Sequence, residues 1–151
     1  MSLEENKAII RKGIEAVNER NLALLDEVLA SDFLDHTLQT RGLEGAKQVY
    51  ALFFKGFPDF HMAIEDIVAE GDTVWVRLKS TGTHKGEFYF PTPSGKMITL
   101  APTGKKITIE SVNIRRVVEG KIAEGWNVTD SLDLLKQLGV IEYKGFPDEV
   151  K

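Results

Sequence analysis

The spacing of the apolar residues changes from helical to alternating near Pro58, and this change limits the folds open to the chain. Before Pro58, apolar residues recur about every three or four positions, which is typical of helices that bury one face. After it, apolar and polar residues alternate, which is typical of strands. No helix-length segment separates these strands, so they can pair as an antiparallel meander but not as a parallel sheet with crossover helices. The sequence therefore predicts an α+β fold, with N-terminal helices packed on a curved antiparallel sheet.

Local signals predict where these elements begin and end. Ser2–Glu5 is a capping box in front of the first helix. Asn21 is expected to cap a second helix that ends at Ser31–Asp32, and Phe33–Leu38 is expected to be a strand or an extended turn. The alternation slips at Glu65–Asp66, which predicts a β-bulge that bends the sheet. The remaining predicted elements are a helix over 43–57, strands over 60–69, 74–79, 107–118 and 121–129, and a short helix over 130–139.

Length and composition fit one globular domain. The 151 residues are 42% apolar and 28% charged, and we expect a single domain over 1–143 with a flexible tail at 144–151. The sequence has no cysteine, which excludes disulfides, thiolate zinc sites and a cysteine nucleophile. With 19 Lys and Arg against 23 Asp and Glu, and no long basic run, a nucleic-acid partner is not expected. No apolar run approaches the roughly 20 residues of a membrane span, and no signal peptide is evident, so we expect a cytoplasmic protein that does not bind membranes.

Two neighbouring segments, Pro93–Leu100 and Pro102–Ile109, resemble each other. Each begins with proline, a hydroxyl residue, glycine and lysine, and each ends in an alternating apolar and threonine pattern. A local duplication of this kind predicts a lengthened hairpin or loop at this point of the sheet.

Asp130 is the first candidate for chemistry, because it follows the strand that carries Glu124 and Trp126. Strand alternation places these three residues on one side of the sheet. A carboxylate beside an indole at the mouth of a closed sheet is partly desolvated, and desolvation raises a carboxyl pKa and makes a better general base. The alternative is structural, since Asp130–Asp133 is also a favourable helix start with Asp130 as the N-cap.

His36 and His84 are the other titratable candidates. A neutral imidazole can hold a substrate carbonyl or accept a proton near pH 7, whereas the alternative for each is a surface histidine or a buried one with satisfied hydrogen bonds. The histidines lack metal-ligand spacing, so no metal site is predicted. Among the many aromatic residues, Tyr50, Phe53 and Phe88 either fill the core or line an apolar cavity.

A series of short motifs occurs in an order that resembles a known family. The chain resembles the SnoaL-like polyketide cyclases and ester cyclases of the nuclear-transport-factor-two-like superfamily, from about Glu4 to Val140. Each motif alone is weak, and their joint order is specific. The motifs are Asp35-His36, Gly42-x-x-Gly45, Gly56-Phe57-Pro58-Asp59, Glu70-Gly71-Asp72-x-Val74, Gly82-Thr83-His84-x-Gly86-x-Phe88, Pro102-Thr103-Gly104-Lys105, Gly120-Lys121-Ile122-x-Glu124-x-Trp126, Asp130 and Gln137-Leu138-Gly139.

The resemblance implies a cone-shaped fold that encloses a pocket, no metal or organic cofactor, and a homo-oligomer, either a dimer or a tetramer. The well-known members close a polyketide ring by intramolecular aldol condensation, in which an acidic residue removes a proton from a carbon flanked by carbonyls. By motif, this acid/base carboxylate is Asp130, and the pocket histidines are His36 and His84. The substrate implied is a small apolar carbonyl compound, and the residues expected to bind it are Trp126, Glu124, Phe53, Tyr50 and Phe88.

Two other functions fit the same fold. A non-catalytic module for a small apolar ligand would have the same pocket, with Asp130 acting only as a helix cap. A hydrolase that activates water would need an Asp-Arg-Asp set, for which Arg77, Arg115 or Arg116 can supply the arginine, although no matching second aspartate is evident. The chain also departs from the family by the intervening segment Tyr89–Ala101, which is expected near the pocket rim or an oligomer edge.

Overall fold

The computed structural model of the protein describes residues 1–92, 94–142 and 144–145. The predicted α+β class is confirmed, with helices gathered on one face of a sheet. The helices are α1 Leu3–Asn18, α2 Leu25–Val28 (after a 3-10 turn at Leu22–Leu24), α3 Gly42–Gly56 and α4 Ser131–Gln137. The strands are β1 Leu29–Asp35, β2 Thr40–Arg41, β3 His61–Glu70, β4 Thr73–Thr83, β5 Phe88–Pro91, β6 Met97–Leu100, β7 Lys106–Val118 and β8 Lys121–Thr129.

Six strands form the main sheet, in the order β2-β1-β8-β7-β4-β3. The meander β3-β4-β7-β8 is antiparallel, as predicted, but β1 runs parallel to β8. The expectation of a purely antiparallel sheet is therefore wrong, and the sheet is mixed. The parallel pair needs a long connection, which α3 and the whole meander supply between β1 and β8.

The first helix begins as predicted, whereas the second is shorter than predicted. The capping box of α1 is present, with the Ser2 hydroxyl accepting from the Glu5 amide at 3.0 Å and the Glu5 carboxylate accepting from the Ser2 amide at 2.7 Å. In contrast, α2 ends at Val28, and Leu29 already pairs with Ile122 in β8. The apolar residues after Val28 fit a helical and a strand spacing equally well. The segment is a strand because it pairs with the distant strand β8.

The two faces of the sheet differ in what covers them. On β4 the side chains of Val74, Val76 and Leu78 are buried under the helices, and we call this side the inner face. Trp75 and its exposed neighbours on β4 point to the opposite side, the outer face. The predicted β-bulge is confirmed by a register shift between Ile64 and Asp66 of β3.

The duplicated segments form different elements. The first contributes β6, which pairs with β5 as a separate two-stranded hairpin, and the second leads into β7. Of the predicted hairpin or loop, the structure has the hairpin, although Pro93 at the start of the first segment lies outside the described residues. The predicted C-terminal tail, apart from residues 144 and 145, also lies outside them. Among the described residues, none of the helices combines the length and the apolar character that crossing a bilayer requires.

β7 begins several residues before its pairing with β8, so this part of β7 has one edge without a neighbouring strand. The helix α4 covers that edge. The Gln137 side-chain amide accepts from the Thr108 backbone N–H at 2.8 Å and donates to the Thr108 carbonyl at 2.7 Å, as a neighbouring strand would. Leu134 of α4 and its C-cap Leu138 are buried in the same core cluster as Ile109 of β7. The helix that Asp130 caps therefore closes one end of the sheet.

Candidate active site

Asp130 lies at the surface and caps α4. The alternation of β8 is as predicted, but the side that carries Glu124 and Trp126 is the outer face, because Trp126 pairs with Ile114, which pairs with the half-exposed Trp75. The Asp130 side chain is exposed, and its Oδ1 accepts from the Asp133 amide at 3.1 Å. The expectation that this carboxylate points into the interior is wrong, and the N-cap alternative is confirmed.

His36, Glu124 and Trp126 come together, also on the outer face. The His36 ring stacks on the Trp126 indole at 4.5 Å between centroids, with the planes 4° apart. His36 Nε2 lies 2.7 Å from Glu124 Oε2, and Glu124 Oε1 accepts from Arg116 Nε. These hydrogen bonds from His36 and then Arg116 hold the pKa of Glu124 below its usual range.

His84 is fully buried and fixes two loops to each other. Its Nδ1 lies 3.0 Å from the Thr103 hydroxyl and 3.3 Å from the Thr103 amide, and its ring packs 5.3 Å from that of Phe57. Its backbone N–H donates to the Lys105 carbonyl at 2.8 Å. Desolvation lowers the pKa of His84, so the imidazole is neutral near pH 7. The contacts of Nδ1 favour a core histidine over a substrate ligand, although the buried Nε2 has no hydrogen-bond partner among the described residues.

The inner face holds a polar cluster that the sequence did not reveal: Asp35, Tyr50, Arg115 and Asn127, here named the inner-face cluster. Arg115 pairs in register with the fully buried Val74, which places it on the side covered by the helices. Arg115 Nη2 donates to Asn127 Oδ1 at 2.7 Å, and the guanidinium lies close enough to the Tyr50 hydroxyl for each group to shift the pKa of the other. Asn127 Nδ2 donates to Asp35 Oδ2 at 2.9 Å, so Asp35, Asn127 and Arg115 form one continuous chain of hydrogen bonds, with Tyr50 beside Arg115.

Each end of the cluster is fixed by the backbone. Asp35 is only 6% exposed, and its Oδ1 accepts from the amides of Thr37 and Leu38 at 3.0 and 2.9 Å, which closes the turn after β1. Arg115 Nη1 donates to the carbonyls of Ile114 and Trp126, each at 3.0 Å. The cluster is thus held rigidly by the ends of β1, β7 and β8.

Gly125 makes room for the Arg115 guanidinium. The two residues are opposite each other in register, and a Cβ added at Gly125 would lie 2.6 Å from Arg115 Nη1, 2.9 Å from its Cδ and 3.0 Å from its Cζ. Only a glycine lets the guanidinium lie this close to the β8 backbone.

Burial sets the protonation states in the cluster. Desolvation raises the pKa of Tyr50 above its usual value, and the nearby Arg115 charge only partly opposes this effect, so Tyr50 is a neutral hydroxyl at pH 7. Desolvation also lowers the pKa of Arg115, opposed by Tyr50 and Asp35, but a guanidinium in a protein stays protonated. The inner face therefore presents a hydroxyl donor beside a fixed cation.

Three predicted lining residues lie on the inner side of the sheet. Tyr50 and Phe53 are one helical turn apart on α3, and the Phe53 ring lies 5.4 Å from that of Phe88 and 5.1 Å from that of Phe60. Tyr50, Phe53 and Arg115 are each partly accessible to solvent. An aromatic wall facing a few fixed polar groups is the usual make-up of a small-molecule site.

Sequence reasoning found the members of the cluster only in part. Arg115 was a candidate arginine for a hydrolase, Tyr50 a lining aromatic, and Asp35 only one half of a motif with His36. No signal indicated Asn127, because its partners come from strands distant in sequence. In the part of the chain described, His, Asp and Glu side chains do not gather in threes that would suit a metal ion.

A profile of SnoaL-like polyketide cyclases matches residues 7–138, from α1 to the end of α4. The chain belongs to the SnoaL-like polyketide cyclase family. The aklanonic acid methyl ester cyclase DauD of Streptomyces sp. (strain C5) is 28% identical over 139 residues, which cover 87% of this chain and 80% of DauD. The aklanonic acid methyl ester cyclase DnrD of Streptomyces peucetius is 27% identical, with 87% of this chain and 88% of DnrD covered.

Solved structures support the same assignment of the SnoaL-like fold. The crystal structure of AclR from Streptomyces galilaeus superposes with a TM-score of 0.78 at 28% identity, over 93% of this chain and 100% of AclR. All four residues of the inner-face cluster lie within the segment that the SnoaL-like profile matches.

Proposed function

We propose that this SnoaL-like protein is a cofactor-free cyclase or isomerase that acts on a small apolar carbonyl compound by general acid/base catalysis. The observation that supports it is the Tyr50–Arg115 pair, a hydroxyl donor and a cation side by side on the inner face, near the Phe53 wall. Preorganised donors of this kind stabilise the oxyanion that forms when a proton leaves the carbon beside a carbonyl. One such donor is worth about 10²–10³ in kcat.

In the proposed reaction, the substrate carbonyl oxygen accepts hydrogen bonds from the Tyr50 hydroxyl and from Arg115. A carboxylate removes a proton from the adjacent carbon, and the electron pair of that C–H bond becomes the enolate. The enolate carbon attacks a second carbonyl of the same molecule and forms a carbon–carbon bond. The new alkoxide takes a proton from the carboxylic acid, which restores the carboxylate, and the product is an isomer of the substrate.

Two carboxylates are candidates for the base. Asp35 belongs to the inner-face cluster, and its Oδ2 accepts one hydrogen bond, from Asn127, which leaves a lone pair for a proton. Asp130 is the base that the family resemblance predicts, but its side chain is exposed, and its Oδ1 accepts from the Asp133 amide as the cap of α4. We therefore propose Asp35 as the base and use Asp130 as the comparison.

The test uses aklanonic acid methyl ester, the compound for which both curated relatives are named. The protein is incubated with it, and the products are separated and weighed by mass spectrometry. A product of unchanged mass supports the cyclase, whereas the gain of a water indicates hydrolysis and the gain of an oxygen indicates hydroxylation. Binding without any product contradicts the proposal and favours a ligand-binding module.

The base is tested with two matched variants, Asp35→Asn and Asp130→Asn. A positioned general base contributes about 10²–10⁴-fold, so Asp35→Asn is expected to lose that factor in kcat, and Asp130→Asn less than about tenfold. The opposite order would return the role to Asp130.

The hydrolase alternative finds less support than the cyclase. The side chain that accepts from Arg115 is the Asn127 amide, where a water-activating set needs a carboxylate. Arg77 and Arg116 are bound to Asp66 and Glu124 on the outer face.

We also propose that two copies of the chain pair through the outer face. One apolar row crosses β3, β4, β7 and β8 in direct register, from Val68 through Trp75 and Ile114 to Trp126. Val68 and Trp75 are 61% and 50% exposed, and a pocket of about 510 Å³ lies against them. A second copy related by a two-fold axis would cover this row with its own, which removes the apolar side chains of both copies from water.

Light scattering after size-exclusion chromatography tests the pairing. Wild type is expected to be a dimer at micromolar concentration, and Trp75→Lys is expected to be a monomer because it places a charge in the centre of the row. Leu132→Lys, at a residue 62% exposed on α4, is the control and should remain dimeric. A monomeric wild type contradicts the proposal.

A further inference from the structure

The inner-face cluster contains one carboxylate, Asp35, and one guanidinium, Arg115, and the Asn127 side chain lies between them. Its Nδ2 donates to Asp35 Oδ2 at 2.9 Å, and its Oδ1 accepts from Arg115 Nη2 at 2.7 Å. The amide thus satisfies a carboxylate with its donor end and a guanidinium with its acceptor end. Neither charge is cancelled by direct contact with the other.

The alternative arrangement would be a direct ion pair. A carboxylate at position 127 would form a charge-assisted pair with Arg115, and such pairs strongly reduce the attraction of the arginine for any further anion. The Asn127 backbone is itself fixed, because its N–H donates to the Thr37 hydroxyl at 2.8 Å and its carbonyl accepts from that hydroxyl at 3.2 Å. The amide is therefore held in place between the two charged groups.

We propose that Asn127 is a positioning residue that keeps the positive charge of Arg115 available to an oxyanion on the inner face of the sheet. The inference rests on the proposed function, since that oxyanion is the enolate or phenolate oxygen of the bound compound. The hydrogen bonds to Ile114, Trp126 and Asn127 use three of the five N–H donors of the guanidinium, so donors remain for a ligand. Asn127 thereby determines which ligands the site selects: anionic oxygen is favoured over neutral oxygen.

The first readout is the binding of 4-nitrophenol, whose absorbance reports its ionisation, with 4-nitrotoluene as a neutral probe of similar shape. Wild type is expected to bind the phenolate more tightly than the phenol, so that the bound probe ionises at a lower pH than the free one. Asn127→Asp is expected to bind the phenolate roughly 10- to 100-fold more weakly and 4-nitrotoluene unchanged.

The second variant exchanges the two groups, Asp35→Asn with Asn127→Asp. It keeps the net charge of wild type but places the carboxylate directly against Arg115. If the placement of charge is decisive, the exchanged variant still binds the phenolate at least about tenfold more weakly than wild type. If only net charge matters, it binds like wild type, and the proposal is overturned.

The third readout is thermal unfolding against pH, which needs no ligand. In Asn127→Asp, the carboxyl groups at 35 and 127 lie within hydrogen-bond distance, with Tyr50 of α3 and Arg115 of β7 as the other titratable groups facing them. Two such carboxylates share a proton, so folding takes up a proton and the variant gains stability, relative to wild type, as the pH falls from 8 to 5. The exchanged variant, with one carboxyl group, should lose this gain.

The outcomes separate this inference from the proposed function. Phenolate binding by wild type without turnover of aklanonic acid methyl ester leaves the role of Asn127 intact and refutes the cyclase. Turnover by wild type with equal phenolate binding by Asn127→Asp refutes the role of Asn127 and leaves the cyclase intact. The absence of any phenolate preference in wild type also overturns the inference.

Discussion

Replacing Gly125 by alanine tests the packing on which the inner-face cluster depends. The added Cβ would lie 2.6 Å from Arg115 Nη1, so the guanidinium must move away from the β8 backbone. The movement stretches the two 3.0 Å hydrogen bonds from Nη1 to the carbonyls of Ile114 and Trp126. The cluster is thus expected to come apart at the residue that carries its positive charge.

The cost of Gly125→Ala follows from these contacts. Hydrogen bonds to a charged group contribute about 1.5–3 kcal/mol each, and the loss of two is offset by up to ~1 kcal/mol because alanine restricts the unfolded chain. We expect a net loss of about 2–5 kcal/mol in the free energy of unfolding. For a domain of this size that lowers Tm by roughly 4–20 °C.

Chemical denaturation followed by tryptophan fluorescence measures the loss. Gly13→Ala in α1 is the matched control, because its added Cβ would meet Val28 at an ordinary 3.6 Å and should be neutral or stabilising. In an Arg115→Ala background, Gly125→Ala should cost almost nothing. An equal cost with and without Arg115 would refute the reasoning, since the two residues would then act independently.

Two further predictions concern residues that the sequence placed in the site. Because the folded-state pKa of His84 is lowered, the unfolded chain binds a proton that the folded chain does not, so stability is lost as the pH falls from about 6.5. His84→Asn should reduce the change of the unfolding free energy with pH, between pH 7.5 and 5.5, by up to about 1.4 kcal/mol per pH unit. The control is a variant of an exposed histidine, His61→Gln, which should keep the slope of wild type. Equal slopes in all three proteins would contradict the assignment. For the N-cap, Asp130→Ala should cost about 0.5–2 kcal/mol in urea unfolding and Asp130→Ser only a few tenths, since serine also caps; equal costs would argue against the cap.

Much of the fold follows from local pattern. The Ser2 capping box, the bulge near Glu65 and the α4 start at Asp130 each depend on residues a few positions apart, and all three are present. The parallel pairing of β1 with β8 could not be predicted in the same way. It joins segments about ninety residues apart, and Leu29 suits a helix or a strand equally.

The site was predicted less well, for a reason that lies in β8. Alternation identifies which residues share a side but not which side faces the helices, and here the outer side carries the apolar Trp126 and Val128. The inner side carries Gly125 and Asn127, which look like surface residues in a sequence. Their burial is stable because Arg115 fills the space over Gly125 and hydrogen-bonds to Asn127.

The most direct test of the account is the rate at which Tyr50→Phe converts aklanonic acid methyl ester, measured beside Asp130→Ser. The account predicts that Tyr50→Phe, which removes one hydroxyl from the inner face, lowers kcat by about 10²–10³. It also predicts that Asp130→Ser, which keeps the α4 cap, stays close to wild type. Full activity in Tyr50→Phe together with an inactive Asp130→Ser would contradict the account and move the chemistry out of the inner-face cluster.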